Sequence, residues 1–388
     1  MKMKQAEKIF RDYFKVAPEA LSRAPGRLEI LGNHTDYNEG FVLSCATGQH
    51  TSFAGAVNES GVCRIYDGKL KEMASFSPDD LANPQKGQWV NYLKGMVSEL
   101  QKRGFSIGGL DAVLDSCVPL SAGMSSSAAL EISFGFLLRE LFPIEMKKED
   151  WARTGQGVEN NYMGVKTGLL DQFSSIFGKE NSLILCDFRS VEVLETVPMS
   201  EEYAIVVGNT LVKHNLVESD YNLRRESCER VRDVIRAACP QVKALRDVDS
   251  SLLASFKNKL DAVDYKRALH IVGEDERVMK GIAYLKEGKV EDFGSLLFES
   301  HESSRNFFEN SCPELDALVE IARSMPDACV GARLSGGGFG GISIHLVKKD
   351  AAELYAKRLE MAYNKMTGKE CKTILTTIGN GAFSRKLG

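Results

Sequence analysis

Hydrophobic and polar positions along the first third of the chain form short runs that read as strands. "FVLSCAT", "SFAGAV" and "GLDAVLDS" are apolar stretches separated by Gly, Asn and Asp, residues that favour turns. Inside this β-rich region, from residue 23 to about 118, one segment changes period. In "WVNYLKGMVSELQKRG" the apolar Val90, Leu93, Val97 and Leu100 recur at helical spacing, and Gly104 marks the stop. A second helix is expected over "SSSAALEISFGFLLREL". A third, long and charged, is expected over "ESDYNLRRESCERVRDVIRAAC", with Leu223, Val231, Val234 and Ile235 as its buried side. "VEDFGSLLFESHESSRNFF" and "CPELDALVEIARSM" predict a helical pair, and "GGISIHLV" a strand emerging from glycines. The start, "MKMKQAEKIFRDYF", spaces Ile9, Phe10 and Phe14 as an amphipathic helix and lacks the unbroken apolar core of a signal peptide. Long helices mixed with runs of strands predict an α+β fold rather than a regularly alternating parallel sheet.

Length and charge narrow the class. At 388 residues the chain suits two domains of roughly 150–200 residues each. The division is expected after the strand "SLILCDF", giving lobes 1–190 and 191–388. With 49 basic against 53 acidic residues the net charge is −4, which leaves no electrostatic footprint for nucleic acid. No stretch approaches the ~18 uncharged apolar residues of a membrane span. Nine cysteines without a C-x-x-C pair suggest reduced thiols in a cytoplasmic protein.

Three patches concentrate polar chemistry. In "GRLEILGNHTDYNEG" a strand carrying Leu28, Ile30 and Leu31 runs into Asn33, His34, Thr35, Asp36, Tyr37 and Asn38, where a turn needs only one or two such residues. The second patch, "PLSAGMSSSAALE", sets Ser121, Ala122 and Gly123 before a helix that begins around Ser125, Ser126 and Ser127. Unpaired amides at a helix N-terminus, reinforced by its dipole, cradle phosphate. Hydroxyls there reach a metal held by the phosphates, since magnesium takes oxygen ligands. An N-cap serine ahead of a plain helix explains the same residues. No lysine follows the loop, so it is not a Walker motif. The third patch, "RLSGGGFGGISIHLV", packs five glycines into six positions, more than a turn requires when each costs about 0.5–1 kcal/mol in an element interior. Alone it is a weak phosphate signal, because glycine-rich loops occur in many folds. Between the patches, Glu159 and Asp171 sit among apolar and small residues in "GVENNYMGVKTGLLDQFSSIFG". A carboxylate there is costly to bury unless it is paired or employed, and a helix cap or a surface acid is the alternative.

In order and spacing these blocks resemble the GHMP kinase superfamily and, within it, the galactokinase family over nearly the whole chain. The signature G-R-V-N-L-I-G-E-H-T-D-Y-N-x-G-F-V-L is met by "GRLEILGNHTDYNEGFVL", P-x-G-x-G-L-S-S-S-A by "PLSAGMSSSA", and the C-terminal glycine motif by "SGGGFGG". The resemblance implies a two-lobed α+β GHMP kinase fold, with a ribosomal-S5-domain-2-like N-terminal lobe, a ferredoxin-like C-terminal lobe and the site between them. It implies ATP-dependent phosphorylation of a hexose, galactose, at the anomeric C1 hydroxyl. It implies that Asn33, His34, Asp36, Gly168, Asp171 and Tyr221 bind the sugar, and that Asp171 acts as base with Arg27 stabilising charge beside it. Trp89, Gly123, Met124, Ser125, Ser126, Ser127 and Ala128 would hold ATP. Ser127 and Glu159 would hold Mg²⁺, and Gly336, Gly337, Gly338, Gly340 and Gly341 would brace the phosphate loop. Trp89 and Tyr92 read equally well as core aromatics. A monomer acting on small molecules is expected, with neither nucleic acid nor membrane as partner.

The chain departs from the family pattern at paired positions. The family has Asn in the strand and Glu before the His, where this chain has Glu29 and Asn33. In the family that glutamate reaches the sugar's C6 hydroxyl. Here Asn33 takes the place with an amide, or Glu29 supplies the carboxylate from nearby or balances a buried arginine. Ser121 stands where a glycine is usual. Lys166 and Thr167 stand where Pro and Cys are usual, and Lys166 either favours a sugar with an anionic or amino-derived substituent or is simply exposed. N-acetylgalactosamine or a pentose therefore stays open as substrate. So does a non-catalytic sugar- and ATP-sensing regulator, against which the intact stretch 125–128, Asp171 and Arg27 argue.

Overall fold

A computed structural model describes residues 3–81, 84–85, 87–120, 123–213 and 217–387. Ser121 and Ala122 of the second patch lie outside the described residues. The strands are β1 (Ala20–Leu31), β2 (Phe41–Val57), β3 (Cys63–Asp67), β4 (Glu72–Phe76), β5 (Leu110–Ser116), β6 (Ser182–Asp187), β7 (Glu192–Pro198), β8 (Tyr203–Lys213), β9 (Cys329–Ser335), β10 (Gly340–Lys348), β11 (Lys372–Thr376) and β12 (Phe383–Lys386). The helices are α1 (Met3–Phe14), α2 (Val90–Lys102), α3 (Ser126–Leu141), α4 (Lys148–Gly157), α5 (Leu170–Phe177), α6 (Val217–Ala238), α7 (Ser250–Ser255), α8 (Ala262–Lys286), α9 (Val290–Ser303), α10 (Pro313–Arg323) and α11 (Ala352–Thr367).

Two sheets organise these elements. The larger runs β12-β1-β2-β5-β3-β4, with β6 also on β2 and β7 on β6; the smaller runs β11-β8-β10-β9. The pairing of β3 with β5 is parallel and the other ladders are antiparallel. The predicted runs "FVLSCAT" and "SFAGAV" are one strand, β2, with no turn between them. Gly48, which suggested a turn, marks a close approach instead: a Cβ there would stand 2.4 Å from Thr377 Oγ1. The length of β2 lets its first residues pair with β6 and its last with β5.

The third helix forms as expected, but its buried side differs. Cys228, Val231 and Ile235 pack with Ala268, Ile271 and Val272 of α8, whereas Leu223 and Val234 are exposed. These partners cover only one stripe of the helix, and those two residues lie outside it. Residue 190 falls in the turn between β6 and β7, and β7 still belongs to the larger sheet. The chain enters the smaller sheet only at β8, and β12 returns to β1. Between the sheets lies a shared apolar core in which Leu28, Leu31, Leu43 and Met124 meet Ile205, Val207, Ile342 and Phe293. Among the described residues no helix is long and apolar enough to cross a membrane.

Candidate functional site

The site opens along this seam. β1 carries Arg27 and Glu29 on one face, then ends in the polar loop, which α8 ties down. Glu274 Oε2 accepts from the amides of Gly32 (3.0 Å) and Asn33 (2.9 Å), while Arg277 Nε donates to its other oxygen at 2.6 Å. So tethered, the loop holds His34 in the left-handed region at φ 62°. A cavity of about 170 Å³ lies against it, lined by Arg27, Glu29, His34, Asp36, Gly168, Asp171, Tyr221, Gly336 and Gly337, with Thr167 and Leu170.

Asp171 stands in the first turn of α5 and is the best-braced carboxylate of the cavity. Its Oδ1 accepts from Arg27 Nε (2.8 Å) and Nη2 (2.7 Å), and its Oδ2 from the Ser125 hydroxyl. Arg27 is nearly buried and also donates through Nη1 to the Gly123 carbonyl at 2.6 Å, so one guanidinium joins the acid to the loop before α3. Ser125 precedes α3 in a left-handed conformation (φ 52°, ψ 54°), and its side chain does not cap the helix. The helix thus begins with its first-turn amides uncapped by a side chain, as an anion site requires.

Behind α3 a second set of acids collects. Glu159 accepts from Ser127 Oγ at 3.0 Å and from Thr167 Oγ1 at 2.6 Å. Burial raises its carboxyl above the ordinary range, and Asp171 raises it further by like-charge repulsion. Glu131, fully buried, accepts from Gln172 Nε2 at 3.0 Å, and burial pushes its carboxyl well up. Ser127 and Glu159 offer oxygen donors beside crowded acids, the chemistry that suits Mg²⁺.

On the side formed by the loop after β1, burial sets the chemistry. Burial holds the His34 ring neutral by lowering its pKa to about 3. Its Nε2 lies 3.2 Å from the Gly337 carbonyl, which can only accept, so Nε2 donates and Nδ1 accepts from Tyr37 OH at 2.8 Å. Both nitrogens are engaged, and a ligand reaches Nε2 only by displacing that carbonyl. Tyr221 packs over the ring with centroids 4.9 Å apart. Asp36 abuts Gly168 so closely that a Cβ there would fall 1.6 Å from Asp36 Oδ2. Gly168→Ala should therefore push Asp36 aside, with a loss on the order of 10²-fold in kcat/KM, as follows a 1 Å misplacement of a positioning group. Steady-state kinetics check this, and a variant within about three-fold of native would show that Asp36 tolerates the shift.

Burial, joined by the charge of Glu29, raises the Asp36 carboxyl to about 6. Its ordinary value is 3.8, so the folded state holds the proton more tightly than the unfolded chain. The sign follows: its contribution to stability is present below pH 3.8 and lost as the pH rises through about 6. Native protein should therefore lose melting temperature relative to Asp36→Asn between pH 4 and 7. Parallel melting curves over that window would count against the assignment.

The structure brings Arg27, His34, Asp36, Gly168, Asp171, Tyr221, Gly336 and Gly337 to one cavity. It does not bring Asn33 there. That side chain, expected to contact sugar, is fully buried, donating to Glu29 Oε1 and the Gly336 carbonyl, both at 2.8 Å. The tie of the loop amides to Glu274 fixes the backbone so that position 33 points into the seam. Met124 and Ala128 sink their side chains into the core, so only their backbone faces the loop. Trp89 stands at the start of α2 against the core of the larger sheet and does not line this cavity. Lys166 is exposed outside it. The glycine-rich segment and β10 lie against the loop before α3: a Cβ on Gly123 would stand 3.0 Å from Ile342 Cγ1, and one on Gly336 3.8 Å from the Gly123 carbonyl. Gly338, with Gly340 and Gly341 beyond it, has a positive φ, and a Cβ on it would meet the Asn310 carbonyl at 2.1 Å. Thr167, noted in the sequence only as a departure from the family pattern, lines the cavity, and Arg333 and Asn310 support it without having been singled out.

Comparison with known proteins places these features in a wider set. The Galactokinase galactose-binding signature matches residues 8–57, the GHMP kinases N terminal domain residues 91–179, and the GHMP kinases C terminal residues 282–364. The chain is 35% identical over 372 residues to the galactokinase of Chloroflexus aggregans, covering 96% of this chain and 95% of that protein. It is 36% identical over 383 residues to the galactokinase of Haemophilus influenzae, covering 98% of each. The crystal structure of Lactococcus lactis galactokinase complexed with galactose superposes over 100% of both chains, with TM-score 0.92 and 30% identity. Methanococcus jannaschii mevalonate kinase, at 17% identity and TM-score 0.64 over 93% of this chain and 98% of its own, shares the fold.

Proposed function

Because this chain belongs to the galactokinase family, we propose that it transfers the γ-phosphoryl group of ATP to the anomeric C1 hydroxyl of galactose, giving galactose 1-phosphate and ADP. One observation carries the reading: Asp171, ion-paired to Arg27, lines the cavity and takes a hydrogen bond from Ser125 at the head of α3. A hydroxyl against Asp171 and an anion on the α3 amides would be neighbours, which phosphoryl transfer demands before any other chemistry. Asp171 accepts the hydroxyl proton as the new O–P bond forms, and Arg27 balances the charge that develops. The amides of residues 123–128 hold the ATP phosphates, and the glycines from 336 to 341 support that loop from behind. Ser127 and Glu159 would hold Mg²⁺, which when bound neutralises phosphate charge. The sugar lies against His34, Asp36, Gly168 and Tyr221. Nine cysteines, none joined in a disulfide among the described residues, support a reducing compartment, the cytoplasm.

Incubation with Mg·ATP and galactose, followed by phosphorus NMR and ADP release across a sugar panel, tests the proposal. A sugar 1-phosphate signal from galactose is expected. Turnover only with N-acetylgalactosamine or a pentose would reassign the substrate. Sugar and ATP binding without turnover would make the protein a sensor.

A further inference from the structure

Glu29 faces the cavity two residues beyond Arg27 on β1. Residues two apart on one face of a strand are separated by about 6.6 Å. A sugar whose reacting hydroxyl lies at Asp171, beside Arg27, therefore extends across its ring toward Glu29. The carboxylate is held by one oxygen only. Its Oε1 accepts from Asn33 Nδ2 at 2.8 Å and from Arg333 Nη2 at 3.0 Å, while Oε2 takes no hydrogen bond among the described residues. The holders are themselves fixed: Asn310 Nδ2 donates to Asn33 Oδ1 at 2.9 Å, and Arg333 Nη1 donates to the Ile30 carbonyl at 3.0 Å. Burial pushes the Glu29 carboxyl up, and Arg333 and Arg27 pull it back. A carboxylate serving only to neutralise Arg333 has no reason to keep its second oxygen toward a cavity. A hydrogen bond donated by a ligand hydroxyl would replace the hydration that oxygen has lost.

We propose that Glu29 is a specificity residue whose Oε2 accepts a hydrogen bond from a substrate hydroxyl across the ring from the phosphorylated one, at C4 or C6, with Asn33 a positioning residue that aims it. This rests on the sugar-kinase reading. It accounts for the exchange at positions 29 and 33 against the family pattern. The Asn–Glu pair is kept, but the carboxylate stands on the strand and the amide behind it.

The test is kcat/KM for galactose and its 2-, 4- and 6-deoxy derivatives on native protein, Glu29→Gln and Glu29→Asp. Gln keeps an acceptor for Asn33 and Arg333 and changes only the free oxygen into a donor. Asp keeps the charge but withdraws it by one bond. Native protein should lose roughly ten- to hundred-fold on the 4- or the 6-deoxy sugar, mainly through KM. In both variants that penalty should shrink to within about three-fold, while the 2-deoxy penalty stays as in native protein. An unchanged far-side penalty in the variants overturns the proposal. Should Gln prevent folding, judged by thermal melting, the Asp variant and the native series decide, and a native protein blind to both C4 and C6 overturns it. If galactose is not phosphorylated at all, the same contrasts are read by calorimetric sugar binding, so failure of the kinase reading stays distinct from failure at Glu29.

Discussion

Asp171→Asn should lower kcat by about 10²–10⁴ while leaving sugar and nucleotide affinity within a few-fold, the range general-base assistance supplies. The geometry makes this substitution unusually clean. Both Arg27 contacts fall on Oδ1, which the amide oxygen can replace, and the Ser125 hydroxyl can turn to accept from the new amide nitrogen. Shape and hydrogen bonds survive, and only the negative charge is lost. The measurement is single-turnover phosphoryl transfer beside calorimetric binding of galactose. Retention of most of the native kcat would show that Asp171 merely orders Arg27 and Ser125. A loss confined to affinity would place it in sugar binding alone.

Arg333→Met should destabilise the fold by about 3–5 kcal/mol, the cost of removing one partner from a buried ion pair. Arg333 rises from β9 in the smaller sheet, is fully buried, and reaches across the seam to the Ile30 carbonyl and to Glu29. Met preserves much of the packing, yet it leaves the carbonyl unpaired and Glu29 without its nearest cation. Equilibrium urea unfolding measures the loss. Adding Glu29→Gln should recover part of it, because the uncompensated charge is then gone. A loss under about 1 kcal/mol, typical of an exposed pair, would show that water or rearrangement compensates the site.

What could be read in the chain was local. The period of Val90, Leu93, Val97 and Leu100 and the glycine at 104 mark α2 because a helix is decided by neighbours three and four residues away. The serines before α3, the glycines before β10 and the polar loop after β1 likewise announce their chemistry through residue type and spacing. Motif order suggested that they share one site. Side-chain direction was not legible. Glu29 and Asn33 are four residues apart, and both were candidates to face the ligand. The choice between them was made by Glu274, 241 residues beyond Asn33, which fixes the loop's amides, and by Arg333, 304 residues beyond Glu29, which claims one carboxylate oxygen. Leu223 and Val234 look as apolar as Val231, and only the stripe of α6 that distant partners cover decided which of them is buried. Local propensity sets which elements form. Which face they bury and which atom they present depend on partners distant in sequence, because a buried polar group takes the orientation that satisfies its hydrogen bonds.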